Sequence, residues 1–135
     1  MSTTHAPAQA QETPVVFEVR PWGSWHVLDV GAGYKVKRIT VSPHSRLSLQ
    51  THVHRSEHWV VVTGVATCTV GERTVLLRPG GRVDVPRGAP HRIANEQQDE
   101  LILLELQLAR QARARVPRMP SPAKSKIVRA LRGRR

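Results

Sequence analysis

The chain has a single cysteine, Cys68, in 135 residues, so no disulfide can form within it. That excludes a disulfide-stapled secreted scaffold and suits a reducing, cytoplasmic setting, with Cys68 as a small core residue. Aromatic side chains are scarce, at 4% of residues. An interior must therefore be built from Val, Leu and Ile, which favour strands. No apolar run approaches the roughly 20 residues that cross a bilayer as a helix. Residues 1–14 lack the basic and then apolar order of a signal peptide. Acidic residues are missing altogether from 108–135, which carries 10 Lys and Arg. Residues 1–107 hold 11 Lys and Arg against 10 Asp and Glu, a net of +1, so +10 of the formal charge of +11 belongs to the tail and the globular part is near neutral.

What is present reads as one domain with two extensions. Residues 1–14, rich in Ala, Thr, Gln and Pro, are expected to be a flexible leader. An ordered domain is expected over 15–107. An edge strand begins it near Pro14–Val19, a turn follows at Arg20-Pro21-Trp22-Gly23, and strands cover Trp25–Val30 and Tyr34–Val41. Further strands are expected over Leu47–His54, Trp59–Val62, Val65–Val70, Thr74–Leu77, Arg82–Pro86 and Leu101–Gln107. A tight loop, Arg87-Gly88-Ala89-Pro90, ends at His91. Short strands about every ten residues, with Gly and Pro turns and no helical period before residue 107, argue for an all-β sandwich or barrel. The basic tail over 108–135 suggests a short helix at Ala109–Arg115 and a second over Ala123–Leu131, or a solvated disordered extension. Contact with nucleic acid or an acidic partner through the tail is the lesser reading, since no aromatics accompany its charges.

The chemistry concentrates in Gln50-Thr51-His52-Val53-His54-Arg55-Ser56-Glu57-His58-Trp59. On a strand, His52 and His54 point to one face. With Glu57 close behind and His91 downstream, these residues form a candidate metal set of His52, His54, Glu57 and His91. A backbone bulge would exchange Glu57 for His58. The donors suit a divalent ion, with Zn favoured and Mn, Co, Fe or Ni also compatible.

His52-x-His54-x-x-Glu57 with Gly64 resembles the first cupin motif, with two residues between the second His and the Glu where three or four are usual. Gly80-x5-Pro86-x-Gly88-x-x-His91-x3-Asn95 resembles the second at every anchor. Arg20-Pro21-Trp22-Gly23, Tyr34-x-Val36-Lys37-Arg38-Ile39, the run from Leu47 to Trp59 and Gly88-x-x-His91-Arg92 narrow the likeness to the type II mannose-6-phosphate isomerase cupin. The resemblance covers about residues 15–107. It implies a cupin double-stranded β-helix, or jelly-roll barrel, and a homodimer. It also implies interconversion of mannose 6-phosphate and fructose 6-phosphate through a cis-enediol, in polysaccharide precursor supply. That module usually follows a mannose-1-phosphate guanylyltransferase domain. No such domain precedes it here, so nucleotidyl transfer is not expected of this chain. His44 stands where the family has Gly after Pro43, and the basic tail replaces the family's closing segment.

Such a reaction needs a base beside a carbonyl, a Lewis acid for the developing oxyanion, and cations for a phosphate dianion. Arg55 and Lys37 are the candidate catalytic residues, with metal-bound hydroxide and His58 as other candidate bases. Gln50, Arg55, Arg38 and Arg92 are the candidate substrate-binding residues. The competing reading is a non-catalytic metal-binding cupin that senses a sugar or metabolite and uses its tail as the interaction element. A metal-dependent oxygenase shares the ligand set, but the string from Gln50 to Trp59 argues against it.

Overall fold

Ten strands and no helix make up residues 16–109, the part of the chain that the computed structural model describes. The leader at 1–14, the first tail helix beyond Ala109 and the whole of the second fall outside the described residues. Among the described residues, no helix is long and apolar enough to cross a membrane. The strands form two antiparallel sheets. The six-stranded sheet runs β1 (Phe17–Arg20), β2 (Gly23–Gly31), β3 (Tyr34–Val41), β10 (Leu101–Ala109), β5 (Arg55–Thr63), β8 (Arg82–Val85). The four-stranded sheet runs β4 (Ser45–Arg46), β9 (His91–Asn95), β6 (Ala66–Val70), β7 (Arg73–Leu77). This is an all-β jelly roll.

The core lies between the sheets. Ile39, Val41, Trp59, Val61, Leu101 and Leu103 come from the larger sheet, and Ala66, Cys68, Leu77 and Ile93 from the smaller. Burial pushes the Cys68 thiol up to about 12, so it stays protonated and packs as an apolar group. Asn95 ties the sheets together, its side-chain amide donating to the Val41 carbonyl at 3.0 Å and to the Asp99 carbonyl at 2.9 Å.

The interior changes character along its length. β10 sits between β3 and β5, and antiparallel partners share a face. Leu103 lies opposite Ile39 and Val61, which is core. Glu105 lies opposite Lys37 and Trp59, and Gln107 opposite Lys35 and Glu57. One register thus turns the inward column from apolar to polar on β3 and β10 at the level of Glu105, and on β5 one inward pair further, at Glu57. The apolar half holds the fold and the polar half is free to carry a site.

The chain departs from the expected strands in four places. Leu47–His54 is not a strand. Only Ser45–Arg46 pairs with β9, and Gln50 makes an isolated bridge to His91. The reason is topological: between Arg46 and Arg55 the chain leaves the smaller sheet for the larger, and a crossing cannot keep a ladder. Three anchors hold the crossing: Leu47 N–H on the Ile93 carbonyl, the reciprocal Gln50–His91 pair, and Gly88 N–H on the His52 carbonyl. The strand expected at Trp59–Val62 begins earlier, at Arg55, and His91–Asn95 is a strand where only a loop end was expected. β10 continues through Ala109, where a helix was expected to begin.

His44 adopts φ 55°, the one described non-glycine residue in the left-handed region. A side chain there crowds the following carbonyl and costs about 1 kcal/mol. Gly64 is constrained further, because a Cβ would lie 2.6 Å from the Glu100 carbonyl oxygen at φ +89°. In equilibrium urea unfolding, His44→Gly is expected to stabilise the protein by about 0.5–1 kcal/mol. Gly64→Ala is expected to cost about 2 kcal/mol or more, since backbone blocks its Cβ.

Candidate functional site

β5 turns Glu57 inward, where it is 2% exposed. Trp59 Nε1–H donates to Glu57 Oε1 at 2.9 Å, and Arg55 Nε–H donates to Oε2 at 2.9 Å. Burial alone would raise the Glu57 pKa. The Trp59 hydrogen bond, the Arg55 charge and hydrogen bond, and His91 outweigh it and hold the carboxyl below its usual value. His91 opens β9 and is 5% exposed. Its Nδ1–H donates to the Ala89 carbonyl at 2.9 Å, which leaves the Nε2 lone pair facing the interior. That Nε2 stands 3.8 Å from Glu57 Oε1 and has no hydrogen-bond partner among the described residues.

His52, on the crossing, places Nε2 3.7 Å from Glu57 Oε2. Burial and the Arg55 charge lower the His52 pKa, so its imidazole is neutral at pH 7 and offers a lone pair. His52, Glu57 and His91 each contribute an atom to a group lying within 4.8 Å of one another. Two imidazole nitrogens, one of them a buried orphan, and an ionised buried carboxylate fit a first-row divalent cation. This donor set does not choose among Zn, Mn, Co, Fe and Ni.

Arg55 is built into the same group. Its Nη2 is 2.9 Å from His52 Nε2 and 2.9 Å from Glu57 Oε2, so the guanidinium donates to two of the atoms a metal would use. Gln50 Oε1 also lies 3.1 Å from His52 Nε2.

Beside the group opens a cavity of about 670 Å³. Gln50, Arg55, Glu57, Trp59 and His91 line it on the metal-type side. Arg20, Lys37, Arg46 and Arg92 bring further positive charge to its walls, and Trp22 and Trp25 add apolar faces. Lys37 Nζ sits 4.2 Å from the centre of the Trp25 ring. Burial is the main cause lowering the Lys37 pKa. Glu105 also lines the cavity. It is 6% exposed and accepts a hydrogen bond from Gln107 Nε2 at 2.6 Å. Burial first, and then the Glu57 charge, push its pKa up to about 7. Such a cavity, positive at its walls with a metal-type group at one side, suits a small polar anion.

Several residues singled out in the sequence come together here: His52, Glu57 and His91 in the group, and Gln50, Arg55, Lys37 and Arg92 at the cavity. His54 does not join them. It is exposed on the crossing and lines a separate opening of about 630 Å³ with His52, Arg55 and Gln107. The shared face expected of His52 and His54 needed a strand that the crossing forbids. His58 points away from Glu57, with Nδ1 2.7 Å from Asp84 Oδ1. Arg38, next to Lys37, turns to the outer face, its Nη2 3.2 Å from His26 Nδ1, and does not line the cavity. Glu105, Arg46 and Arg20 escaped the sequence reading. The signal for Glu105 was present, because it shares a strand face with Leu101 and Leu103 in an otherwise apolar run.

A family model described as "Mannose-6-phosphate isomerase C-terminal" matches residues 8–113. The xanthan biosynthesis protein XanB of Xanthomonas campestris is 47% identical over 88 residues, which is 65% of this chain and 19% of that protein. The mannose-1-phosphate guanylyltransferase ManC of Salmonella typhimurium is 45% identical over 87 residues, which is 64% of this chain and 18% of that protein. The chain thus spans about a fifth of the length of these relatives. Among solved structures, an RmlC-like cupin from Shewanella frigidimarina superposes with a TM-score of 0.58 at 18% identity, over 67% of this chain and 78% of that one. That likeness establishes the cupin fold.

Removing the Arg55 cation should free two donor atoms and end a like-charge repulsion. Arg55→Ala is expected to tighten divalent-metal binding by about tenfold or more. Competition against a chromophoric chelator measures this, and unchanged or weaker binding would contradict the assigned group. Glu105 gives a pH signature. Its folded pKa of about 7 lies above the 4.5 of the free side chain. The folded state therefore binds the extra proton between these values, and the stability Glu105 lends below about pH 4.5 is lost as pH rises through about 7. Denaturation of wild type and Glu105→Gln at pH 5 and pH 8 should show the variant gaining stability relative to wild type at the higher pH.

Proposed function

The chain belongs to the mannose-6-phosphate isomerase C-terminal family, and on that premise we propose that it is a metal-dependent isomerase of a phosphorylated hexose, converting mannose 6-phosphate and fructose 6-phosphate into one another. The observation that carries this reading is the cavity itself, where a two-histidine, one-carboxylate group meets a wall of Lys37, Arg20, Arg46, Arg55 and Arg92. A phosphate dianion and an enediolate are the two negative charges that this reaction presents, and both require such a lining.

A divalent ion held by His52, Glu57 and His91 would supply Lewis acidity toward the carbonyl and its neighbouring hydroxyl. The chain's own residues do the rest. Arg46, on β4, and Arg92, on β9, pair with the phosphate. Arg92 is steadied by its Nε–H on the Leu47 carbonyl at 3.2 Å. Arg55, adjoining Glu57, offers its guanidinium to the oxygens on which negative charge develops. Gln50 stands beside His52 at the cavity wall. Trp22 and Trp25 shield the sugar from water.

The names of the relatives point the same way, toward xanthan biosynthesis in one and mannose-1-phosphate chemistry in the other. The test is protein reconstituted separately with each first-row divalent metal, supplied with mannose 6-phosphate and followed for fructose 6-phosphate. Turnover is expected, and its absence with every metal would overturn the reading. Arg92→Ala is expected to raise KM by about tenfold with a smaller change in kcat, as loss of one charge-assisted phosphate contact requires.

A further inference from the structure

A buried carboxyl with no structural task stands in the cavity wall. Glu105 is carried inward by β10, faces Lys37 on β3 and Trp59 on β5, and is 6% exposed. Its Oε2 accepts from Gln107 Nε2, and its Oε1 has no hydrogen-bond partner among the described residues. It lies outside the metal-type group, so metal binding leaves it free. An apolar residue would fill this position better, because a buried carboxyl with one free oxygen is destabilising. Lys37, directly opposite, is held against the Trp25 ring at 4.2 Å. The cavity thus holds an acid and an amine side by side at one level of the barrel, next to the group that would polarise a carbonyl.

We propose that Glu105 is the catalytic residue that carries the proton between the two reacting carbons of the sugar phosphate, with Lys37 exchanging the proton of the adjacent oxygens. This rests on the isomerase reading. In the forward direction, the Glu105 carboxylate takes the proton from C2. The C2–H electron pair becomes the C1–C2 double bond, and the O1 oxygen takes a proton from the Lys37 ammonium. The Glu105 carboxylic acid then protonates C1, the O2 hydroxyl returns a proton to the Lys37 amine, and C2 becomes the ketone. Both side chains end as they began, and no other reactant is consumed.

The surroundings favour both roles. Burial and Glu57 bring the Glu105 carboxyl to about 7, against the opposing influence of Gln107, Lys37 and Arg55. Burial lowers Lys37, with Lys35 and Arg55 adding to the effect and Glu105 and Glu57 opposing it. A carboxyl near neutrality can both accept and return a proton at working pH. His91, from β9, also faces the cavity, but its Nε2 belongs to the metal-type group.

The experiment compares metal-loaded wild type, Glu105→Gln and Glu105→Asp with mannose 6-phosphate in D2O, reading turnover and deuterium at C1 and C2. In Glu105→Gln, kcat is expected to fall by about 10²-fold or more. KM, bound metal and the affinity for fructose 6-phosphate should stay within about threefold, and deuterium exchange should vanish along with turnover. Glu105→Asp, which keeps a carboxyl one methylene further back, should retain measurable turnover and the acid limb of the kcat–pH profile. Glu105→Gln within tenfold of wild-type kcat would overturn the assignment, as would Glu105→Asp with no acid limb should the Gln variant fail to fold. An inactive wild type would overturn the isomerase reading and this assignment with it. An active wild type beside an equally active Glu105→Gln would overturn only the role of Glu105.

Discussion

The register that seats β10 between β3 and β5 governs the rest of the molecule. It sets Leu103 against Ile39 and Val61, then Glu105 against Lys37 and Trp59, then Gln107 against Glu57. A slip of one residue would turn Glu105 to solvent and send Leu104 and Leu106 inward. The same register therefore decides where the core ends and where a polar cavity begins. The larger sheet contributes both halves from the same strands, so stability and chemistry are stacked along one axis and do not compete for the same positions.

Within the polar half, electrostatics sort the groups by role. Glu57 stays ionised in spite of burial, because Trp59 and Arg55 donate to its two oxygens. Glu105 is driven the other way by burial and then by the Glu57 charge, against the single Gln107 amide donor. Two buried carboxyls in one cavity thus reach opposite states, one fit to hold a cation and the other fit to exchange a proton. Arg55 bridges the metal-type group and the cavity wall, and its guanidinium donates to His52 and Glu57. A cation of either kind is what this cluster of lone pairs requires.

Much of this was legible in the residues. The spacing of short β-branched runs between Gly and Pro turns announced an all-β chain, and the Gly80–Asn95 block, like the run ending at Trp59, pointed to the family. His52, Glu57 and His91 could be nominated from residue type alone. Three placements differ from local expectation. Strand periodicity puts both histidines of His-x-His on one face, but a backbone crossing between sheets has no such period, and His54 lies outside the group. The charge of Arg38 beside Lys37 suggests a place in the cavity, but neighbours on a strand face opposite ways. The long apolar run around Glu105 suggests burial and nothing more.

The sequence by itself determined the element type, the approximate turns, the family and the kind of chemistry, because each of these depends on residue identity and local spacing. Tertiary structure alone decided which histidines converge, that Glu57 faces inward while His58 pairs with Asp84, and that Arg20, Arg46 and Glu105 share a cavity with groups far away in the chain. The physical reason is that burial and charge proximity arise from register and from the packing of two sheets. Those contacts join residues separated by tens of positions, and no local pattern encodes them.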